Sequence, residues 1–307
     1  MSLTANIDVR DKVVSESGLN PDWLLASRQD GIKELRVLDV GQGDAVAVYD
    51  NNINMKIIMY VDYGGCAYHP DKGSAYLDTP SRLSISDRPV VVLTHWDKDH
   101  YYSATKVPNV EHCKWVVPRQ RVGPQAAQFA AKLTNAHLWP ESIGTSPISF
   151  DSGDGCKVEI QKCGAFPLTG AENRHLTGLA VTIFKDENGT RKAIVLVGDA
   201  PFDKVPTLAN WQGTATVVGL IAYHHGGDDH WTNLTTSTLS KIAPVAAGSP
   251  GPDLVYSYGV DQNRCNQYGH PKKPKYSQGG LNWKTHCETP TAPIGSNGFK
   301  FCTLSLC

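Results

Sequence analysis

The stretch Val90-Val91-Val92-Leu93-Thr94-His95-Trp96-Asp97-Lys98-Asp99-His100 decides the reading of this chain. Its first four residues are apolar, as expected of a short strand buried on both faces. Directly behind them stand His95, Asp97, Asp99 and His100, all able to bind cations. The ends of strands are where a rigid scaffold presents polar groups to a cleft. Imidazoles mixed with carboxylates, without thiolate, suit zinc, manganese or iron. A single His-x-Asp pair would more often be a solvated loop with ordinary hydrogen bonds. So dense a package at the end of a buried strand points instead to metal.

The same grammar recurs on either side. The apolar run from Ala193 to Val197 ends in Gly198-Asp199, and Val217 to Ala222 ends in Tyr223-His224-His225-Gly226-Gly227. Lys56 to Val61 ends in Asp62, with Gly64-Gly65 behind it. Together these would ring one end of a sheet with carboxylates and imidazoles, the inventory of a two-metal site. Asp199 is the candidate for the carboxylate that bridges both ions; its other role would be a helix N-cap ahead of Pro201. Neighbouring side chains on extended backbone point opposite ways, so only one of His224 and His225 is expected to face the metals.

The remaining sequence fits an α/β enzyme. Its 307 residues suffice for one large domain or two small ones, and 40% apolar against 19% charged residues is an ordinary globular balance. A net charge of −1 gives no general field for coating nucleic acid, yet does not exclude an enzyme that grips phosphates through metal. No apolar run is long enough to span a membrane, and the polar start, Met1 to Asn20, lacks the pattern of a secretory signal, so a cytoplasmic protein is expected. None of the cysteines at 66, 113, 156, 163, 265, 287, 302 and 307 forms a C-x-x-C pair, and reduced thiols are the default for that compartment; only Cys265 to Cys307 are dense enough to keep disulfides open.

Strands are read at Leu35 to Leu38, Ala45 to Tyr49, Leu179 to Phe184 and Leu254 to Tyr256, in addition to the runs above. Helices are read at Pro124 to Leu133 and, briefly, at Pro21 to Ser27. Hairpin-like strands early and mixed elements later suggest sheets packed on each other with helices outside. The chain divides into an N-terminal extension, 1–33, a central domain, 34–272, and a loop-rich C-terminal tail, 273–307, packed on it.

The ordered set Asp62-Tyr63-Gly64, Thr94 to His100, Gly198-Asp199 and His224-His225-Gly226 resembles the metallo-β-lactamase superfamily. Asp97 stands where most members carry a second histidine. That departure is similar to the hydrolase domain of bacterial DNA-uptake competence channels and its free-standing relatives. So are Leu38-Asp39-Val40-Gly41-Gln42-Gly43-Asp44-Ala45, Ser257-Tyr258-Gly259 and Asn266-Gln267-Tyr268-Gly269-His270-Pro271. The likeness spans about residues 34 to 272. It departs at Tyr101-Tyr102-Ser103, where a pair of glycines is usual, and at Gly227, followed here by Asp228, Asp229 and His230.

The resemblance implies a four-layer αβ/βα sandwich of the metallo-β-lactamase type. It implies two divalent ions, zinc or manganese, with His95, Asp97, Asp99, His100, Asp199, His225 and His270 as metal residues. Asp99, His224 and Asp62 belong to the catalytic machinery, Asp62 as the carboxylate that orients a ligand. Asp44, Asn173 and Lys272 are candidates for substrate binding, while Lys273, Lys275, Arg119 and Arg121 are cations that could hold phosphates or simply be solvated. The expected reaction is metal-assisted hydrolysis of a phosphodiester in nucleic acid or a nucleotide, with no membrane partner. Ester, thioester or lactam hydrolysis on the same fold, and a non-catalytic metal-retaining binding module, are the rivals.

Overall fold

The computed structural model describes residues 7–13, 30–41, 43–65, 83–167, 172–213, 215–228, 230–243, 251–258, 271–277, 281, 283–289 and 301–306. The short strands β1 (Ile7–Asp8) and β7 (Arg121–Val122) pair with each other, and Arg119 holds Asp8 at 2.7 Å. Part of the expected N-terminal extension is thereby tied to the domain. The helix expected at Pro21 to Ser27 lies outside the described residues.

One seven-stranded sheet is built from β2 (Ile32–Leu38), β3 (Ala45–Asp50), β4 (Ile57–Tyr63), β5 (Val90–Val92), β6 (Lys114–Val117), β8 (Ala136–Leu138) and β16 (Phe301–Ser305), in the order β16-β2-β3-β4-β5-β6-β8. The other runs in sequence order through β9 (Ile148–Gly153), β10 (Cys156–Lys162), β11 (Leu179–Glu187), β12 (Thr190–Leu196), β13 (Thr216–Ile221), β14 (Asp253–Tyr256) and β15 (Thr285–Glu288). In each sheet an antiparallel half passes into a parallel half, at β4–β5 in the first and β12–β13 in the second.

The alternation of side chains along a strand assigns the layers. On β3, Val46 and Val48 face Val158, Ile160, Val181 and Ile194 between the sheets. Ala45, Ala47 and Tyr49 point the other way, into a cluster with Ala126, Phe129 and Ala130 of α2 (Pro124–Ala130), which follows the short α1 (Lys98–Tyr101). On the second sheet Ala193, Val195 and Val217 pack outward against Leu208 of α3 (Pro206–Ala209) and Leu239 and Ile242 of α4 (Asn233–Ile242). Both faces of each central strand are covered, which is why β3 and β4 are buried throughout. The result is a mixed α/β, four-layer αβ/βα sandwich.

Two expectations change. The C-terminal tail is more than loop: it carries α5 (Lys273–Tyr276) and supplies β15 and β16, one edge strand to each sheet. The default of reduced thiols also fails at Cys287 and Cys302, which are bonded to each other with their Cα atoms 5.9 Å apart, joining β15 to β16. The sequence separates them by 15 residues, but the sandwich brings the two edges together. Cys113, Cys156 and Cys163 are buried and form no disulfide among the described residues.

Candidate metal centre

All the cation-binding side chains gather at one edge of the sandwich. Parallel strands β4, β5, β12 and β13 end there, and the antiparallel strands β3 and β11 begin there. Close approach of the loops requires glycine at one point in particular. A Cβ on Gly64 would sit 1.9 Å from the Asp99 carbonyl oxygen and 2.5 Å from that of Asp44. Gly64 N instead donates to Asp44 O at 2.8 Å, and Gly65 N to Asp99 O at 2.9 Å. Ser103, which occupies one of the positions where glycine is usual, donates its hydroxyl to Gly64 O.

The first group consists of His95, Asp97, His175 and Asp199, one ligand atom of each lying within 4.8 Å of the others. His95 Nε2 is 3.5 Å from Asp97 Oδ2 and 3.4 Å from Asp199 Oδ2, while His175 Nε2 is 3.0 Å from Asp97 Oδ2. The second group is Asp99, His100 and His225, with His225 Nε2 3.3 Å from Asp99 Oδ2. Asp199 lies between them. Its Oδ2 faces His95, His175 and His224, and its Oδ1 lies 3.1 Å from His100 Nε2 and 4.0 Å from His225 Nε2. A carboxylate that divides its oxygens between two groups has the placement of a bridging ligand.

The donor set fits metal ions. His95 Nε2, His100 Nε2, His225 Nε2 and Asp199 Oδ1 are buried without any hydrogen-bond partner. Even the 3.1 Å approach of His100 Nε2 to Asp199 is not aligned as a hydrogen bond. Buried polar atoms are almost always paired, so several orphaned ones converging on a common space call for a cation.

The other ring nitrogens are held from behind. Asp62 Oδ2 is 2.8 Å from His100 Nδ1, and Asp62 also accepts Thr94 N and Thr94 Oγ1, each at 2.7 Å. Asp44 Oδ1 lies 3.4 Å from His225 Nδ1, an ion-pair approach in which the two atoms are not aligned as a hydrogen bond. A third grouping, Asp44, Asp62 and His100, is equally compact, but its carboxylates serve these supports. Such carboxylates fix ring orientation and raise ligand basicity. Asp62 thus faces the His100 ring and Thr94. Asp44, expected to bind substrate, is buried beside His225.

Electrostatics follow from burial and proximity. Burial opposes charge on His95 and His225, yet Asp199 and Asp97 lift His95 to about 9, and Asp44 and Asp99 lift His225 to about 10. His100 is raised well above the ordinary range, against burial, by Asp199 and Asp62. Burial is overcome in the other direction at Asp199, held well below the usual carboxylate range by His224, His100 and His95, and at Asp97 by His175 and His95. Burial raises Asp62, only partly offset by His100.

His224 and His225 both approach Asp199, but of the two only His225 belongs to a compact group of ligand atoms. They lie in a turn, Tyr223–Gly226, not on extended backbone, and both adopt left-handed conformations, φ 47° and 55°. The strand alternation that would separate their side chains does not apply.

His175 was not singled out from sequence. It precedes β11, and ligand-type residues are legible at the ends of buried apolar runs rather than ahead of them. Asn173, expected to touch substrate, accepts the backbone N–H of His175 at 3.1 Å and so shapes the turn that presents it; its amide also meets His230 Nε2 at 3.0 Å. Buried Gln120 clamps this turn to the metal loop, accepting Trp96 N at 3.0 Å and donating to Arg174 O at 2.7 Å. No sequence signal marked it. Lys272 N donates to Gly226 O at 2.7 Å, which brings Lys272 to the His224–His225 turn. Arg119 is engaged with Asp8, Arg121 with Glu172 and Pro167, and Lys273 with Glu288. His270, Gln42, Asp229 and most of the closing motif lie outside the described residues.

No family model and no curated protein matches the sequence. Among solved structures it is similar to Tm1679, described as a metal-dependent hydrolase of the β-lactamase superfamily, at 10% identity over 89% of this chain and 99% of that one, with a TM-score of 0.47. It is similar also to Zn-bound PqqB from Methylobacterium extorquens, at 12% identity over 88% and 86% of the two chains, TM-score 0.39. A third is MEM-A1, a subclass B3 metallo-β-lactamase from a soil metagenome library, at 10% identity over 82% and 87%, TM-score 0.32. What the site does rests on its own residues.

Proposed function

We propose that the chain is a dinuclear metal-dependent hydrolase whose substrate is a phosphodiester. The observation that carries the hydrolase reading is Asp199, whose two oxygens face two groups of buried, unpaired imidazole nitrogens. His95, Asp97, His175 and Asp199 would hold one divalent ion; Asp99, His100, His225 and Asp199 the other. When bound, such a pair supplies an acidified water and stabilises charge developing on the attacked centre. Asp62 and Asp44 hold the rings of His100 and His225 in place. His224, more exposed than the other histidines facing Asp199 save His175, is placed to hold a proton at Nε2 for the leaving oxygen. The Leu93, Trp96 and Tyr101 side chains close the apolar side of the loop against water.

Two features support phosphodiester over ester, thioester or lactam. Asp97 in place of histidine gives one ion a harder, more anionic shell, which suits manganese as well as zinc. It also resembles the competence-channel type of hydrolase, and that likeness of sequence supports the phosphodiester reading. The compartment is a separate matter: the Cys287–Cys302 bond favours oxidising surroundings over the cytoplasm expected from sequence. Among the described residues no helix is long and apolar enough to cross a membrane.

The test is to strip the protein of metal, reload it with zinc or manganese, and assay phosphodiester, ester, thioester and lactam substrates side by side. Diester turnover restored by either metal is the expected result. Absence of it with both would sink the phosphodiester reading, and failure to bind transition metal at all would favour a binding module.

A further inference from the structure

Asp97 stands at the N-cap of α1 but does not cap the helix. Its Oδ2 faces His95 and His175. Its Oδ1 forms an ion pair with Arg174 Nη2 at 2.6 Å. Arg174 in turn helps to wall a cleft of about 360 Å³ together with Asp97, Arg121, Glu172, Asn173 and His175. The cleft opens directly on the first candidate metal group, since Asp97 and His175 belong to both.

The charged groups of this cleft differ in what they have left to offer. Glu172 accepts the backbone N–H of Arg121 and the hydroxyl of Thr177. Arg121 donates to the Pro167 carbonyl at 3.1 Å and lies against the Phe166 ring. Arg174 is 36% exposed, and its Nε and Nη1 have no acceptor among the described residues. Its Nη2 is engaged in the ion pair with Asp97, and the side chain lines the cleft.

We propose that Arg174 binds a non-reacting oxygen of an anionic phosphoryl substrate, and that Asp97 holds it there. The inference rests on the phosphodiester reading and deepens it by naming the specificity-determining residue. A carboxylate at position 97 is what makes the arrangement workable. A neutral imidazole has a single acceptor nitrogen; with that nitrogen facing a cation, its remaining N–H would repel a guanidinium. A carboxylate has two oxygens and can serve both neighbours. Anchoring one arm also fixes the plane of the guanidinium, so less freedom is lost when the other arm meets an oxyanion. The Asp-for-His departure and the cation at the cleft are thus one device. A neutral ester, thioester or lactam offers no such anion and gains little from it.

The test uses the full, metal-loaded chain, wild type against Arg174→Ala and Arg174→Lys. Bis(p-nitrophenyl) phosphate and p-nitrophenyl acetate are the substrates, inorganic phosphate binding is measured by calorimetry, and metal content by elemental analysis. For R174A the ratio of kcat/KM for diester to that for ester should fall roughly 10- to 100-fold, mainly through KM, in keeping with loss of a charge-assisted hydrogen bond. Phosphate affinity should fall by a similar factor with metal retained, and R174K, which keeps charge without the fork, should lie between. An unchanged ratio and phosphate affinity would overturn the proposal. So would loss of metal in step with loss of phosphate affinity, which would assign Arg174 to holding Asp97 alone. Should the wild type cleave no diester, the functional reading fails by itself, and phosphate affinity still decides the role of Arg174.

Discussion

His100 is fixed on both sides: its Nδ1 lies 2.8 Å from Asp62 Oδ2, and its Nε2 lies 3.1 Å from Asp199 Oδ1. Asp62 accepts two further hydrogen bonds from Thr94, so it acts as an acceptor and the Nδ1–H of His100 donates to it. The Nε2 lone pair is thereby turned toward Asp199. Asp62→Asn replaces one accepting oxygen with a donor facing other donors. We expect metal affinity to fall about 10- to 100-fold, measured by competition with a chromogenic chelator. An affinity equal to wild type would show that Asp62 does not orient the ring.

Asp199 should be far less tolerant. Asp199→Asn keeps the shape but leaves His95, His100 and His224 without the carboxylate they share. Bound metal should drop below that of the wild type, and turnover should fall by at least about a hundredfold. Elemental analysis and rate measured on the same preparation check both. Full metal content in the variant would deny the bridging role.

The pH dependence of the metal-free protein follows from its histidines. A histidine raised above its unfolded value of about 6.5 contributes stability that is complete below that value and vanishes as pH rises through the folded one. For His95 and His225 the folded values are about 9 and about 10. Chelator-treated protein should therefore lose stability between about pH 7 and 10. At the acid end the lowered Asp97 and Asp199 act in the opposite sense, losing their contribution as pH falls through their depressed values. Metal must displace the imidazole protons, so metal affinity should climb over the same alkaline window. Denaturant unfolding and metal titration at several pH values test this; a flat stability profile would refute it.

Gly198 sits at φ +55°, and a Cβ there would lie 2.5 Å from Thr94 Oγ1. Gly198→Ala combines left-handed strain with a clash against the residue that anchors Asp62. We expect a loss of about 3 kcal/mol, read from chemical denaturation. A cost under about 1 kcal/mol would mean that Thr94 yields without consequence.

Reduction of Cys287–Cys302 releases the link between β15 and β16 across a separation of 15 residues. The expected loss is about 3 kcal/mol by chain entropy. Unfolding with and without reductant, compared with the Cys287→Ser/Cys302→Ser double variant, measures it. An identical midpoint in all three would remove the staple from the account of stability.

The sequence by itself determined the buried strands and most of the ligands they carry. Val90 to Leu93 reads as a strand because branched apolar residues on both faces leave no alternative, and His95 to His100 stand out because they follow it without a break. The same logic located Asp62, Asp199 and His225. It overlooked β1, β6 to β10, β15 and β16, whose alternating or short patterns carry weaker signals. Tertiary structure alone decided three things. It brought His175 to the site from the beginning of an antiparallel strand, because such a strand starts at the edge where parallel ones end. It turned both His224 and His225 toward Asp199, because left-handed backbone cancels the alternation that local rules assume. And it divided the carboxylates into those that face the metal groups and those, Asp62 and Asp44, that stand behind the rings. Residue type is the same in both sets; only packing sets the direction in which each carboxylate points.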